Sequence, residues 1–177
     1  MGIAAESVES IPPGHVLVID SRNDPRAASA GAMLPTRMKV RGAAAIVTDG
    51  AFRDGQELAR LDFPAYARQV TASTRLSYHR VADLNVPIAC ADVAVYPGDI
   101  IVGDGDGVTV VPLHLAAEMA DLCERRDQLE KYCRIASRPA SHSTASTRRH
   151  RPYAPTSRHG RGAGADPARA TTIRAGA

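Results

Sequence analysis

The sequence predicts an α/β fold with a parallel βαβ start, a C-terminal β meander and a closing helix. Three observations predict it. Two near-continuous apolar runs, His15–Ile19 and Ala45–Val47, flank a stretch that reads as a helix. Four short β-type runs follow between residues 86 and 112, separated by tight turns. Apolar positions at helical spacing then return over residues 113–133.

Ile11-Pro12-Pro13-Gly14 is a rigid turn that launches the first strand. His15-Val16-Leu17-Val18-Ile19 is apolar almost throughout, as a strand buried on both faces must be. The polar run Asp20–Pro25 ends it in a loop.

Residues 31–41 read as the crossover helix, with Met33, Leu34, Met38 and Val40 as its apolar positions. Pro35 is tolerated only in a first turn, which fixes the helix start close to Gly31. Arg37, Lys39 and Arg41 suit the negative end of the helix dipole, and Gly42 is a good terminator. The N–H groups from Ala32 to Leu34 are then expected to be free, forming an anion site at the helix start.

Ala44–Asp54, AAIVTDGAFRD, carries the second strand, a break at Asp49-Gly50, and Arg53 and Asp54 side by side. A right-handed βαβ crossover brings this turn and the helix start to the carboxyl edge of one sheet, where open α/β sheets bind ligands. Arg53 offers a fork for a carboxylate, and Asp54 a hard oxygen for a divalent metal. The competing reading is an exposed ion pair beside a turn, worth little.

Residues 54–61 read as a short helix and 63–67 as a short strand; 71–79 fit neither pattern clearly. The meander strands are 86–89, 93–96, 99–103 and 108–112. In the closing helix, Leu115, Met119, Leu122, Leu129 and Cys133 make the apolar stripe.

Charge divides the chain. Residues 1–133 hold 13 basic and 18 acidic residues, a net of −5, whereas 134–177 hold nine Arg and a single acid, Asp166, a net of +8. The first part can bury a core and is expected to be the folded domain. The second, rich in Arg, Ala, Ser and Pro, has little to bury and is expected to be disordered. Its abrupt bias is that of an out-of-frame reading of GC-rich coding sequence, which resequencing the locus tests.

Cys90, Cys123 and Cys133 have neither disulfide-framework nor zinc spacing, so reduced thiols in a cytoplasmic protein are expected. No 18-residue apolar stretch exists, and MGIAAESVES has no signal-peptide pattern. Glu6 breaks the myristoylation pattern. Asp104-Gly105-Asp106-Gly107 lacks the later ligands of a calcium loop and reads as a hairpin turn. His15 and His79 have no spaced partners, and Ser21, Arg22 and Arg26 lie near the anion pocket as ordinary loop residues. Arg148-Arg149-His150-Arg151 has no interleaved aromatics, so nucleic acid is not an expected partner.

The combination of G-x-x-L at Gly31–Leu34, VRGAAAIVTDGAFRD at Val40–Asp54 and DLNVPIACADVAVYPGDIIVGDGDGVTVVP at Asp83–Pro112 resembles the family of regulator of ribonuclease activity A and 4-hydroxy-4-methyl-2-oxoglutarate aldolase. The likeness covers residues 8–133. It implies a compact swivelling-domain-type (β/β/α) sandwich, assembled as a homotrimer with sites near subunit interfaces. It also implies a metal-dependent aldolase that forms pyruvate and decarboxylates oxaloacetate. On this resemblance Arg53 grips the 2-oxo acid end of the substrate. Asp54 holds Mg2+ or Mn2+, and Gly31, Ala32, Met33 and Leu34 give backbone contacts. A metal-bound water or an acid from a neighbouring subunit serves as base, with Glu118, Glu124 and Glu130 as candidates.

The sequence departs from that family in three places. Ala32 stands where many members carry Asp or another polar residue, the N-terminal part is shortened, and the tail is unlike the family's C-terminal helix. On the resemblance the expected function is a class II 2-oxo acid lyase, and the departures make a weakened or inactive product, a truncated family member, an alternative. The other alternative is a non-enzymatic protein that binds a ribonuclease.

Overall fold

A computed structural model describes residues 3–74, 78–137 and 169–176. The described residues fall into two compact units, one within residues 1–116 and 166–177 and the other within residues 117–165. In the first unit α1 (Ile3–Ser10) leads into β1 (His15–Asp20), β2 (Ala28–Ala30), α2 (Met33–Val40), β3 (Ala45–Thr48) and β4 (Ala51–Phe52). There follow α3 (Gly55–Arg60), β5 (Ala65–Tyr66), β6 (Gln69–Val70), β7 (Arg80–Leu84), β8 (Ile88–Cys90), β9 (Val93–Val95), β10 (Ile100–Gly103) and β11 (Val108–Val111).

β1 and β3 pair in parallel, Val16 with Ala45 through Ile19 with Thr48, and α2 makes the crossover between them. Each of the first three strands of the large sheet then passes its chain on to a small parallel sheet ordered β2-β4-β6. The break at Asp49-Gly50 is one such passage. A Cβ on Gly50 would stand 2.7 Å from Ser21 Cβ, so only glycine lets the two passages lie this close. The strands from 88 to 111 form two antiparallel hairpins: β10–β11 joins the large sheet, whereas β8–β9 stands as its own pair.

Alternation along β1 builds two cores. Leu17 and Ile19 pack with Met38, Ile46 and Phe52, while Val16 and Val18 pack with Val47, Cys90, Val95 and Ile101.

Two expectations need correction. On α2, Met33 and Val40 are 79% and 73% exposed, whereas Pro35 and Met38 are buried. Positions 33 and 40 lie about opposite 35 and 38 on a helix of 3.6 residues per turn, so this short helix buries one narrow face. Secondly, residues 134–177 are not without structure throughout. The last helix, α4 (Ala116–Ala136), runs past 133, and Arg169–Gly176 forms β12. β12 lies in parallel beside β1, His15 with Arg169 through Asp20 with Arg174. Backbone pairing needs no particular side chains, so composition gave no signal of it. Residues 138–168, including Arg148–Arg151, lie outside the described residues.

In the second unit α4 carries Asp127–Lys131 and Arg126–Glu130 pairs one turn apart. Met119, Leu122 and Leu129 of its apolar stripe are exposed.

Candidate active site

The small parallel sheet positions the site. β2 pairs with β4, Ala28 with Ala51 and Ala30 with Phe52, and the Arg53 N–H continues the ladder by donating to Ala30 O at 3.0 Å. Thr71 N–H donates to Phe52 O at 2.9 Å, so Arg53 follows a strand held on both sides.

Asp54 then turns the chain. It is in the left-handed region, φ 61° and ψ 38°, a conformation Asp tolerates better than most residues. Its carbonyl accepts from the Glu57 and Leu58 N–H groups, both at 3.0 Å, which starts α3. Its side chain points back to the start of α2, where Oδ2 accepts the Ala32 N–H at 3.1 Å. Arg53 Nε lies 3.5 Å from the same oxygen. Gly31 faces both side chains: a Cβ on it would stand 2.4 Å from Arg53 Nε and 2.5 Å from Asp54 Oδ2.

Gly31, Leu34 and Arg53 line a cavity of about 240 Å³, together with Ala28, Ser29, Ala30 and Thr74. Three of the residues singled out from sequence thus share one wall, and Ala32 and Asp54 are tied together beside it. Met33 takes no part through its exposed side chain. The helix start is not a row of free donors, however. Asp54 holds the Ala32 N–H, and the Leu34 N–H donates to Gly31 O at 3.3 Å. The reason is the turn at Asp54, whose handedness cannot be read from an RD dipeptide.

Sequence reasoning missed Ala28, Ser29, Ala30 and Thr74. β2 is an Ala-Ser-Ala run without the β-branched residues that mark strands. Thr74 joins Ala28 through an isolated bridge in a segment without periodicity. It also missed the support beneath the site. Asp49 is buried, and its carboxylate accepts the N–H groups of Ser21 at 2.6 Å, Asn23 at 3.0 Å and Ala91 at 3.3 Å. Ser21, Ser29 and Thr48 place their hydroxyls within 2.6–3.2 Å of one another, and Gly50 N–H donates to Thr48 Oγ1.

The remaining candidates have other work. Arg26 clamps both carboxylate oxygens of Asp24, at 2.9 and 2.6 Å, and stacks on Tyr78. That guanidinium is the main cause holding the Asp24 carboxyl well below the usual range. His79 Nε2 is 3.3 Å from Asp24 Oδ2 and the ring is nearly buried. Asp104 Oδ1 accepts the N–H groups of Asp106 and Gly107, which makes 104–107 a hairpin turn. A second cavity, of about 340 Å³, is apolar, with Val18, Val47, Cys90, Val95 and Ile101 in its wall. Burial pushes the Cys90 thiol up to about 12, which leaves it unreactive. No helix among the described residues is long and apolar enough to cross a membrane.

The sequence profile of the RraA-like family, described as Aldolase/RraA, matches residues 2–110. A Halalkalibacterium halodurans protein, provisionally named 4-hydroxy-4-methyl-2-oxoglutarate aldolase, is 43% identical over 100 residues, 56% of this chain and 47% of that protein. An Ectopseudomonas mendocina protein with the same provisional name is 31% identical over 114 residues, 64% of this chain and 70% of that protein. The chain spans about half the length of curated relatives such as the Halalkalibacterium protein. The crystal structure of Streptomyces coelicolor RraAS2, described as an unusual member of the RNase ES inhibitor RraA protein family, superposes with a TM-score of 0.68. The two share 31% identity over 76% of this chain and 68% of that one. Profile, relatives and fold agree with the motifs at 31–34, 40–54 and 83–112: the chain belongs to the RraA-like family.

Proposed function

We propose that the chain is a divalent-metal-dependent lyase. It cleaves 2-oxo acids of the 4-hydroxy-4-methyl-2-oxoglutarate type to pyruvate and decarboxylates oxaloacetate as a side activity. One observation carries the reading: Gly31, Leu34 and Arg53 line one small cavity, with the Asp54 carboxylate against its edge. A pocket of this size suits a substrate of a few carbons rather than a large cofactor.

The donor set fits a magnesium-type cation. Among the described residues no group of three or more His, Cys, Asp or Glu could hold a metal. That disfavours a zinc-type cage. Mg2+ keeps several waters and takes one or two carboxylates plus substrate oxygens, so Asp54 alone is enough protein ligand. Mn2+, which also takes carboxylate and water, fits the same set. When bound, such a cation supplies Lewis-acid stabilisation of the negative charge that develops on the 2-oxo oxygen.

The chain's own residues do the rest. Arg53 donates charge-assisted hydrogen bonds to the 2-oxo acid end and fixes its orientation. Gly31, Ala32, Met33 and Leu34 set their backbone around the carboxylate, which takes the Ala32 N–H in place of Asp54, and Ala28, Ala30 and Leu34 supply apolar walls. In the aldol cleavage a base takes the 4-hydroxyl proton and the bond between C3 and C4 breaks. C3 is then protonated to give pyruvate. In this reading the catalytic residues belong to a domain within residues 1–133, whose large sheet β12 completes, and it assembles as a trimer.

The test is pyruvate release from both substrates with Mg2+, Mn2+ or EDTA, after subtracting metal-only decarboxylation. Arg53→Ala and Asp54→Ala are each expected to lose about 10²-fold or more while the chain stays folded. Full activity in Arg53→Ala would remove that residue from the mechanism.

A second reading is favoured by one comparison, the description of RraAS2 within an RNase ES inhibitor family. In it the chain binds a ribonuclease and restrains it. Inhibition of a ribonuclease by folded, metal-replete protein without lyase turnover would select that reading. Neither turnover nor inhibition would select an inactive family member.

A further inference from the structure

We infer that the Asp54 carboxylate is the resident occupant of the anion slot at the start of α2, and that a 2-oxo acid enters only after a cation has drawn Asp54 off the Ala32 N–H. This rests on the lyase reading and adds an order of binding to it.

The N–H of Ala32, the residue just before α2, is taken by Asp54 Oδ2 at 3.1 Å. In the first turn of α2 the Leu34 N–H is taken by Gly31 O. A substrate carboxylate seeking the Ala32 N–H therefore meets a like charge already seated there. The seat is built for that carboxylate. Asp54 is turned toward it by its left-handed backbone, and Gly31 leaves the space, since a Cβ would come within 2.5 Å of Oδ2.

The seat is also loose. Asp49 accepts three backbone N–H groups and is buried, and Asp99 is buried with two. Those are fixed struts. Asp54 accepts one such donor, and its side chain is 39% exposed. Among these three carboxylates it is the one that water or a cation can draw away at small cost. A cation bound to Asp54 takes up the carboxylate charge and leaves the Ala32 N–H to the incoming acid. Linkage then requires that pyruvate tighten Mg2+ binding by the factor with which Mg2+ tightens pyruvate.

The experiment measures pyruvate affinity by calorimetry at fixed ionic strength, for the full chain, Asp54→Asn and Asp54→Ala, each freed of metal. Asp54→Asn keeps an oxygen acceptor for the Ala32 N–H but drops the charge; Asp54→Ala drops both. Metal-free Asp54→Ala is expected to bind pyruvate about tenfold or more tighter than the unsubstituted chain, the scale of one charge-assisted hydrogen bond. Asp54→Asn is expected to fall between the two. Equal affinity of Asp54→Ala and the unsubstituted chain, or of Asp54→Ala and Asp54→Asn, would overturn the inference and leave the lyase reading standing. No pyruvate binding by any form, with or without Mg2+, would overturn both. A second measurement needs no variant: Mg2+ alone should speed hydrogen exchange of the Ala32 amide several-fold, and unchanged exchange sinks the device.

Discussion

Gly31 and Arg53 meet where no side chain on residue 31 would fit, because a Cβ there would stand 2.4 Å from Arg53 Nε and 2.9 Å from its Cγ. The contact falls along the middle of the arginine side chain, so moving its tip does not relieve it. Gly31→Ala should therefore swing Arg53 out of the cavity and push Asp54 from Ala32. A displacement of about 1 Å in a positioning group costs on the order of 10²-fold in rate, and that is the loss expected in kcat/KM for pyruvate release. Ala30 and Phe52 of the core adjoin the site, but the clash falls on the half-exposed side chains of Arg53 and Asp54, so the Tm should move by only a few degrees. Retained activity with an unmoved Arg53 would show that the site has slack.

Asp49 is expected to act on stability rather than chemistry. Removing its carboxylate in Asp49→Ala strands the N–H groups of Ser21, Asn23 and Ala91. An unsatisfied buried donor costs about 1–3 kcal/mol, and only the Ser21 contact is fully buried, so a loss of about 1–3 kcal/mol in urea unfolding is expected. Asn23 and Ala91 lie nearer solvent and can turn to water, so they add little. A loss under about 0.5 kcal/mol, the level of an ordinary surface substitution, would mean that the loop does not depend on this carboxylate.

These two residues mark how far the sequence could be read. Pro35 and Gly42 bounded α2 closely, because proline geometry and glycine termination act locally. The apolar runs at 15–19 and 45–47 gave the paired strands for the same reason. The passage of each strand into a second sheet left no mark, since β4 and β6 are two-residue strands set by neighbours far along the chain. Arg53 and Asp54 stood out by chemistry and spacing. That Asp54 would hold the Ala32 N–H just before α2, and that Asp49 five residues earlier would be a buried strut, depended on backbone handedness and loop closure. Neither is written in residue type.

β12 gives a sharper test of the fold. Its backbone fills the side of β1 opposite β3. A chain ending at Ser137 would expose the N–H and C=O groups of β1 from His15 to Asp20 along that side. An open edge on a central strand is both destabilising and a template for pairing with another copy. The shortened chain is expected to unfold at lower urea and to self-associate at raised concentration, read by light scattering. Equal urea midpoints for the two chains would mean that β12 adds nothing to the sheet.

Cys90 sets the expected alkaline behaviour. Burial, with the Asp49 charge adding to it, raises its thiol from 9.0 to about 12 in the folded chain. The folded thiol thus stays protonated where the unfolded thiol ionises. Above about pH 9 the unfolded state binds fewer protons than the folded state, so stability falls as pH rises. The contribution is whole below about pH 9 and is lost progressively toward pH 12. Cys90→Ala removes this term: its urea midpoint should fall less between pH 8 and 10.5 than that of the unsubstituted chain, whatever the offset from the lost packing. A thiol reagent at pH 8 should meanwhile label the exposed Cys123 and Cys133 in the folded protein and reach Cys90 only on unfolding. Rapid labelling of Cys90 in the native state would mean that the apolar cavity beside it opens to solvent, and the alkaline term would vanish with the burial that causes it.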